Sequence, residues 1–209
     1  MKLIFSYSSF KRFNDIFFSL FLLIIFFPFL LFVSLLILSK LGKPVFFRQQ
    51  RAGYSGHPFM LLKFRTMTND CDSTGKLLPN QDRITPLGLW LRNTSIDELP
   101  ELVNILRGDM SFIGPRPLLT QYLPLYSSEQ ARRHEVKPGF SGWAQINGRN
   151  AISWNKRLYY DVWYVDNIGF LLDLKIIFLT VIKVILRRDI TTVSGDFMPV
   201  FKGNHSSPE

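Results

Sequence analysis

The sequence predicts a mostly helical α/β chain in which a re-entrant N-terminal membrane helix precedes one small domain with a short β-hairpin and interfacial amphipathic helices. Three observations carry this. Residues 16–39 form an uncharged apolar run. Two short apolar runs flank a turn-rich stretch just after it. The second half repeats apolar residues at helical spacing. At 209 residues and 47% hydrophobic, the chain can bury one core of ordinary size and is not a disordered sequence. The expected division is a membrane segment with its flanks at 1–43, a domain at 44–200 and a polar tail at 201–209.

The 24 residues of the apolar run would make roughly 36 Å of helix at ~1.5 Å per residue, enough to span a bilayer. The run is too long for a removable signal peptide, and no small-x-small cleavage pattern follows it. Pro28 sits near its middle, where a proline removes a backbone hydrogen bond and bends the helix. Lys11 and Arg12 precede the run, and Lys40, Lys43, Arg48 and Arg51 follow it. A through-span shows contrast between its basic flanks. Here both flanks favour the cytoplasmic face, which a hairpin satisfies and a Pro-kinked single pass does not; on physics alone the two stand close, leaning to the hairpin.

Beyond Pro44, runs at 45–49 and 59–64 read as a β-hairpin across AGYSGHP. Residues 68–85 are polar and turn-forming. Helices are expected over 86–92, 97–108, 120–136, 153–167 and 171–188, with Gly114-Pro115-Arg116-Pro117 ending regular structure between the second and third. The last helix has a wide apolar arc edged by basic residues, and the helix before it is rich in Trp and Tyr. That pattern suits helices lying in the headgroup plane, and a core helix would show a similar arc.

The net charge of +9 is concentrated. Residues 1–65 hold nine basic groups against Asp15 alone, together with 12 of the 20 Phe before residue 48. Basic charge flanking a greasy segment indicates a membrane surface and argues against nucleic acid as a partner. The single Cys71 excludes an intrachain disulfide and an all-Cys metal site. His57, His134 and His205 are too scattered for a zinc motif. Gly139-Phe140-Ser141-Gly142 lacks the final Gly of a nucleophile elbow, Trp143 standing there, and reads as a turn. Asp161, Asp166 and Asp173 read as surface charges.

The candidate chemistry lies in Ser95-Ile96-Asp97-Glu98-Leu99-Pro100-Glu101. Spacing alone favours a structural role: Asp97 as an N-cap, Ser95 with Glu98 as a capping box, and Glu98 and Glu101 complementing the helix dipole. Against that stand Arg92 just before, and Asp109 and Arg116 just after. Carboxylates among arginines suit an anionic substrate bound with a divalent cation.

LLKFRTM (61–67), LRNTSIDELPELVNILRGDMSFIGPRPLL (91–119) and KPGFSGWAQINGRN (137–150) strongly resemble the bacterial sugar transferases, the monotopic phosphoglycosyl transferases, over about residues 10–200. The resemblance implies transfer of a sugar phosphate from a UDP-sugar to undecaprenyl phosphate, with release of UMP. It implies Asp97 as the nucleophile that becomes covalently phosphorylated, Glu98 as the Mg²⁺ ligand, and Lys63, Arg92 and Arg116 as phosphate binders. Arg149 and Asn150 would line the nucleotide-sugar side, and Pro28 would be the break in a re-entrant helix. An inner-membrane location with the site facing the cytoplasm follows, with downstream glycosyltransferases as further partners. TQYLPLYSSEQ and NGRNAISW resemble the members of protein glycosylation that use UDP-N,N'-diacetylbacillosamine. UDP-N-acetylglucosamine or a UDP-hexose donor in polysaccharide synthesis, and a non-catalytic membrane scaffold, are the alternatives.

Overall fold

A computed structural model describes residues 2–148, 152–186 and 200–203. Arg149, Asn150, Arg187, Arg188 and His205 lie outside the described residues.

The first helix, α1, runs Lys2–Leu41 with Pro28 inside it. Its stretch Tyr7–Leu41 has a mean hydropathy of 3.1 and is long and apolar enough to cross a membrane. The helix nevertheless stays against the domain along much of its length. Arg12 donates to the carbonyls of Ile105 (2.7 Å) and Leu106 (2.8 Å), and Asp15 Oδ1 accepts from Ser111 Oγ and the Phe112 amide, both at 3.1 Å. Further along, Leu22 and Leu23 pack on Leu61, Leu102, Ile105 and Met110, and Val33 and Ile37 are buried with Phe64 and Leu91. At the far end Arg65 donates to the carbonyls of Leu41, Gly42 and Lys43. The opposite face, including Phe13, Phe17, Phe21, Ile24, Phe27 and Leu31, is exposed and apolar.

Strands β1 (Phe46–Ala52) and β2 (Pro58–Phe64) form an antiparallel hairpin with Phe46 opposite Phe64 and Ala52 opposite Pro58. Within the expected loop, Asn80–Arg83 makes one helical turn, α2. Helix α3 (Pro86–Asn93) opens with Pro at its first position, and Thr85 Oγ1 caps the Gly88 amide at 3.0 Å. Helix α4 (Glu101–Arg107) ends at Gly108, whose φ of 96° is the left-handed closure that glycine supplies at low cost.

Asn104 is fully buried and joins α4 to β2: its Oδ1 accepts from the Leu62 amide (3.0 Å) and its Nδ2 donates to the Met60 carbonyl (2.8 Å). These bonds fix how the hairpin sits on α4. They also place Lys63, the next residue of β2, over the acidic start of that helix.

Strands β3 (Ser111–Ile113) and β4 (Gly139–Ser141) pair in parallel, Ser111 with Gly139 and Ile113 with Ser141. The segment read as a turn is therefore a short strand. The glycines permit the close approach, since a Cβ on Gly139 would meet the Gly114 nitrogen at 2.0 Å. The helix expected over 120–136 is broken into a 3-10 helix Thr120–Leu125 containing Pro124, a turn α5 (Ser128–Ala131) and a 3-10 turn Arg132–His134. Pro124 cannot supply an amide to a continuous helix, and Ser127 starts a new one through a complete capping box with Gln130.

After the single turn α6 (Trp143–Ile146) come α7 (Trp154–Asp166), capped by Ser153, and α8 (Phe170–Ile185). Helix α8 buries Ile176 against Ile113, Ile146 and Tyr164 while exposing Phe170, Leu171, Leu174, Phe178 and Val181. Phe10 of α1 meets Phe170 of α8 edge to face at 5.8 Å, so the two exposed apolar faces adjoin there.

Two aspartates read as surface charges are buried instead. Asp161 accepts from Arg133 Nε (3.1 Å) and NH2 (2.8 Å). Asp173 accepts from Tyr7 (2.6 Å), Tyr164 (2.7 Å) and Lys11. Their partners lie 28 and up to 166 residues away, beyond the reach of local spacing. Asp166 is exposed and pairs with Arg132.

Candidate active site

Asp97 stands on a single 3-10 turn, Ile96–Glu98, between α3 and α4. Neither capping arrangement forms. Ser95 adopts left-handed backbone (φ 56°, ψ 17°) and caps nothing with its side chain, while Pro100, in the N-cap position of α4, provides no side-chain cap. The carboxylates are thus left available for other groups.

Lys63 Nζ lies 2.5 Å from Glu98 Oε1 and 3.1 Å from Glu101 Oε1. Arg116 NH2 reaches the same Glu98 oxygen at 2.6 Å. Arg92, on α3, donates from Nε to Thr66 Oγ1 at 2.9 Å and acts as a positive neighbour of Asp97. Arg116 is placed in turn by Arg133, whose NH2 donates to the Arg116 carbonyl at 2.7 Å while pairing with Asp161. Lys63, Arg92, Asp97, Glu98 and Arg116 therefore share one electrostatic cluster built from β2, α3, the 3-10 turn and the Gly-Pro-Arg-Pro segment.

Local sequence reasoning missed three neighbours. Glu101 is 1% exposed and serves as a third carboxylate, though it reads as a dipole partner; its position three residues after Glu98 was the available signal. Thr66 holds Arg92 and is recognisable only once the hairpin meets α3. Arg51, on β1, donates to the Pro117 carbonyl (3.3 Å) and Gln49 (2.5 Å) and adds positive charge beside Arg116 and Glu101.

The environments push adjacent acids in opposite directions. Burial, reinforced by the Glu98 charge, raises Asp97 from 3.8 to about 6, with Lys63, Arg92 and Arg116 opposing. Burial also acts to raise Glu98, but Arg116 and Lys63 outweigh it and hold that carboxyl well below its usual range. Glu101 is pushed up to about 7 by burial, which Lys63 only partly offsets. Glu98 raises Arg116 further above its ordinary value. One locked anion beside one poised carboxyl is an arrangement in which neighbouring acids take distinct roles.

No group of three or more His, Cys, Asp or Glu among the described residues is arranged to hold a metal. Magnesium needs less, because it is often bound by one or two carboxylates and by substrate phosphates. Lys63 and Arg116 both bond Glu98 through Oε1, so Oε2 is the oxygen that a cation could use.

A carboxylate set among guanidinium and ammonium groups, in a domain packed on a long apolar helix, has a charge pattern that suits an anionic ligand. Residues 6–187 match the family model described as bacterial sugar transferase. The chain is 57% identical over 86% of its length to an uncharacterized sugar transferase, EpsL, of Bacillus subtilis, covering 89% of that protein. It is 43% identical to the UDP-glucose:undecaprenyl-phosphate glucose-1-phosphate transferase of Klebsiella pneumoniae, over 83% of this chain and 40% of the relative. It is 37% identical to the undecaprenyl-phosphate galactose phosphotransferase of Salmonella typhimurium, over 86% and 41%. The chain thus spans about two fifths of those two longer relatives. It belongs to the bacterial sugar transferase family and is an enzyme of the sugar-phosphate transferase class.

Proposed function

We propose that this chain moves a sugar phosphate from a UDP-sugar to undecaprenyl phosphate through a covalent intermediate on Asp97. The observation that carries the reading is the Asp97 carboxyl itself: buried, uncommitted to capping, and set among Lys63, Arg92 and Arg116. In the first step an Asp97 oxygen bonds to the β-phosphorus of the donor. The bond from that phosphorus to the bridging oxygen breaks, and UMP leaves with the electron pair. In the second step a phosphate oxygen of the lipid attacks the same phosphorus and the Asp97 carboxylate is released.

An anionic nucleophile approaches an anionic phosphorus only when cations screen both. Arg116, more open at 37% side-chain exposure than Lys63 at 16%, is suited to grip the diphosphate, with Lys63 and Arg92 adding positive charge. Mg²⁺ held at Glu98 would neutralise developing phosphate charge. Arg149 and Asn150 remain assigned to the nucleotide-sugar side by resemblance.

The helix α1 is read as re-entrant, with the site on the cytoplasmic face of the inner membrane. Supporting this reading, the domain is tied to the helix on both sides of the apolar run, at Arg12 and at Leu41–Lys43. The donor assigned from sequence is UDP-N,N'-diacetylbacillosamine, for protein glycosylation. The relatives named for glucose and galactose support a UDP-hexose as the second reading.

The test is Mg²⁺-dependent UMP release with a panel of UDP-sugars and undecaprenyl phosphate, together with mass spectrometry of enzyme mixed with donor alone. A sugar-phosphate adduct at Asp97 is expected. No UMP release from any donor would leave the scaffold alternative standing.

A further inference from the structure

One carboxyl oxygen in the cluster has a cation within reach and no hydrogen bond. Glu101 opens α4, is 1% exposed, and its Oε1 lies 3.1 Å from Lys63 Nζ. That oxygen is shielded, and the contact is an ion pair without hydrogen-bond geometry. Lys63 gives its hydrogen bond to Glu98 Oε1 instead, at 2.5 Å, and Arg116 NH2 reaches the same oxygen at 2.6 Å. Two cations therefore converge on one oxygen of Glu98, while a second buried carboxyl stands beside one of them unused. Native structures seldom leave a shielded acceptor unsatisfied, and a site that changes its bonds during a reaction is one place where they do.

The distance between Glu101 and Lys63 is set by groups other than themselves. Asn104, on the same helix as Glu101, bonds the Leu62 amide and the Met60 carbonyl of β2, the strand that carries Lys63. Glu101 is thus held against that strand, whereas Glu98 belongs to the separate 3-10 turn before Pro100. A lysine ammonium has three donors on a flexible stem and, unlike a guanidinium, no fork that fixes its direction. If a phosphate oxygen replaced Glu98 as its partner, nothing in the ammonium itself would keep it in place. A fixed acceptor on its buried side would.

We propose that Glu101 is a positioning residue for the transfer, the acceptor that keeps Lys63 Nζ in the cluster when the ammonium exchanges Glu98 for a phosphate oxygen of the donor. This rests on the UDP-sugar reading above, in which Lys63 serves the donor's phosphates. Before the exchange Nζ bonds Glu98 and only neighbours Glu101. After it Nζ bonds Glu101 and the phosphate, and Glu98 keeps Arg116. Glu101 touches no substrate and acts through Lys63 alone.

The test is a double-mutant cycle on the full chain, read by calorimetric titration with UDP. Glu101→Met keeps the side-chain length and removes the acceptor, and replacing a buried charge by an apolar group of similar size commonly leaves a fold intact. It should weaken UDP binding about 10-fold, the scale of one charge-assisted hydrogen bond. Glu101→Gln retains a carbonyl oxygen for the ammonium and should bind UDP within about 3-fold of wild type. In a Lys63→Met background the change at residue 101 should have no further effect, because groups that act as a unit are not additive. A loss of the same size with and without Lys63 would give Glu101 a packing role and overturn the proposal. So would Glu101→Met binding UDP as tightly as wild type, or Lys63→Met doing so. The structure of wild type with UDP bound decides the matter where a variant fails to fold or binds too weakly to titrate: Nζ hydrogen-bonded to Glu101 and a phosphate oxygen is expected, and Nζ still on Glu98 would refute the exchange. A failure of every UDP-sugar to release UMP would count against the transferase reading, while the UDP titration and the bound structure would still decide this one.

Discussion

Replacing Asp97 with Asn should abolish transfer and stabilise the fold at the same time. The wild-type carboxyl is raised from 3.8 to about 6 because burial and the Glu98 charge oppose its ionisation. The folded state therefore holds the Asp97 proton more tightly than the unfolded chain does. Stability falls as pH rises through the interval between those two values, and the full penalty applies above about 6. A shift of about 2 units corresponds to roughly 3 kcal/mol at ~1.36 kcal/mol per unit. Asn has nearly the same shape and no charge, so it removes that penalty. For a chain of this size the gain should raise Tm by roughly 5–10 °C at pH 7.5. It should shrink toward zero near pH 4, where the wild-type side chain is itself neutral. The assay is thermal unfolding of both proteins in the same detergent across pH 4–8, alongside UMP release. A variant no more stable than wild type at pH 7.5 would refute the claim that Asp97 is held in an unfavourable charged state. Retained turnover would refute its role as nucleophile.

Three further outcomes follow from the same cluster. The pH profile of kcat/KM should show an acid limb with an apparent pKa near 6, since only the ionised Asp97 attacks; a flat profile down to pH 5 would place the nucleophile elsewhere. Lys63→Met takes the shared cation from Glu98 and from buried Glu101, and should cost about 3 kcal/mol and at least ~100-fold in turnover. Because Glu101 titrates at about 7, that loss should be larger at pH 8 than at pH 6, as urea unfolding at the two values would reveal. Gly88→Ala introduces a Cβ 1.8 Å from the Thr66 carbonyl oxygen, so the strand end that holds Arg92 must move. About 1–3 kcal/mol of destabilisation and a lower kcat/KM are expected, and unchanged values of both would mean that Thr66 does not set the position of Arg92.

Much of the fold is legible because its signals are local. Pro86 and Thr85 mark a helix start, Gly108 a helix end, Ser153 another start, and the AGYSGHP turn a hairpin; each element forms within a few residues of the expected bounds. The strands extend farther into the turn, to Ala52 and Pro58, where the Ala52 amide also bonds the Leu118 carbonyl. What escapes is set by distant partners. The β3–β4 pairing involves three-residue strands with 25 residues between them, and depends on glycine backbones that touch only after folding.

The candidate site divides in the same way. The cluster of acids and arginines is visible in sequence, but spacing favours capping, and only the left-handed Ser95 turns the carboxylates away from the helix start. Glu101 and Thr66 acquire meaning from Asn104 and Gly88, two contacts that join β2 and its extension to neighbouring helices.

Lys63, Arg65 and Thr66 fall within four consecutive residues, yet each serves a different master: the acids beside Asp97, the carbonyls closing α1, and Arg92. A single strand end is thereby both hinge pin and jaw. A tilt of the greasy helix, whether from bilayer thickness, acyl-chain order or the curvature of a micelle, would pull on the tether at Arg65, two residues from the lysine that grips Glu98. Moving the protein from lipid into detergent would on that account bear on the carboxylate cluster as well as change its solvent.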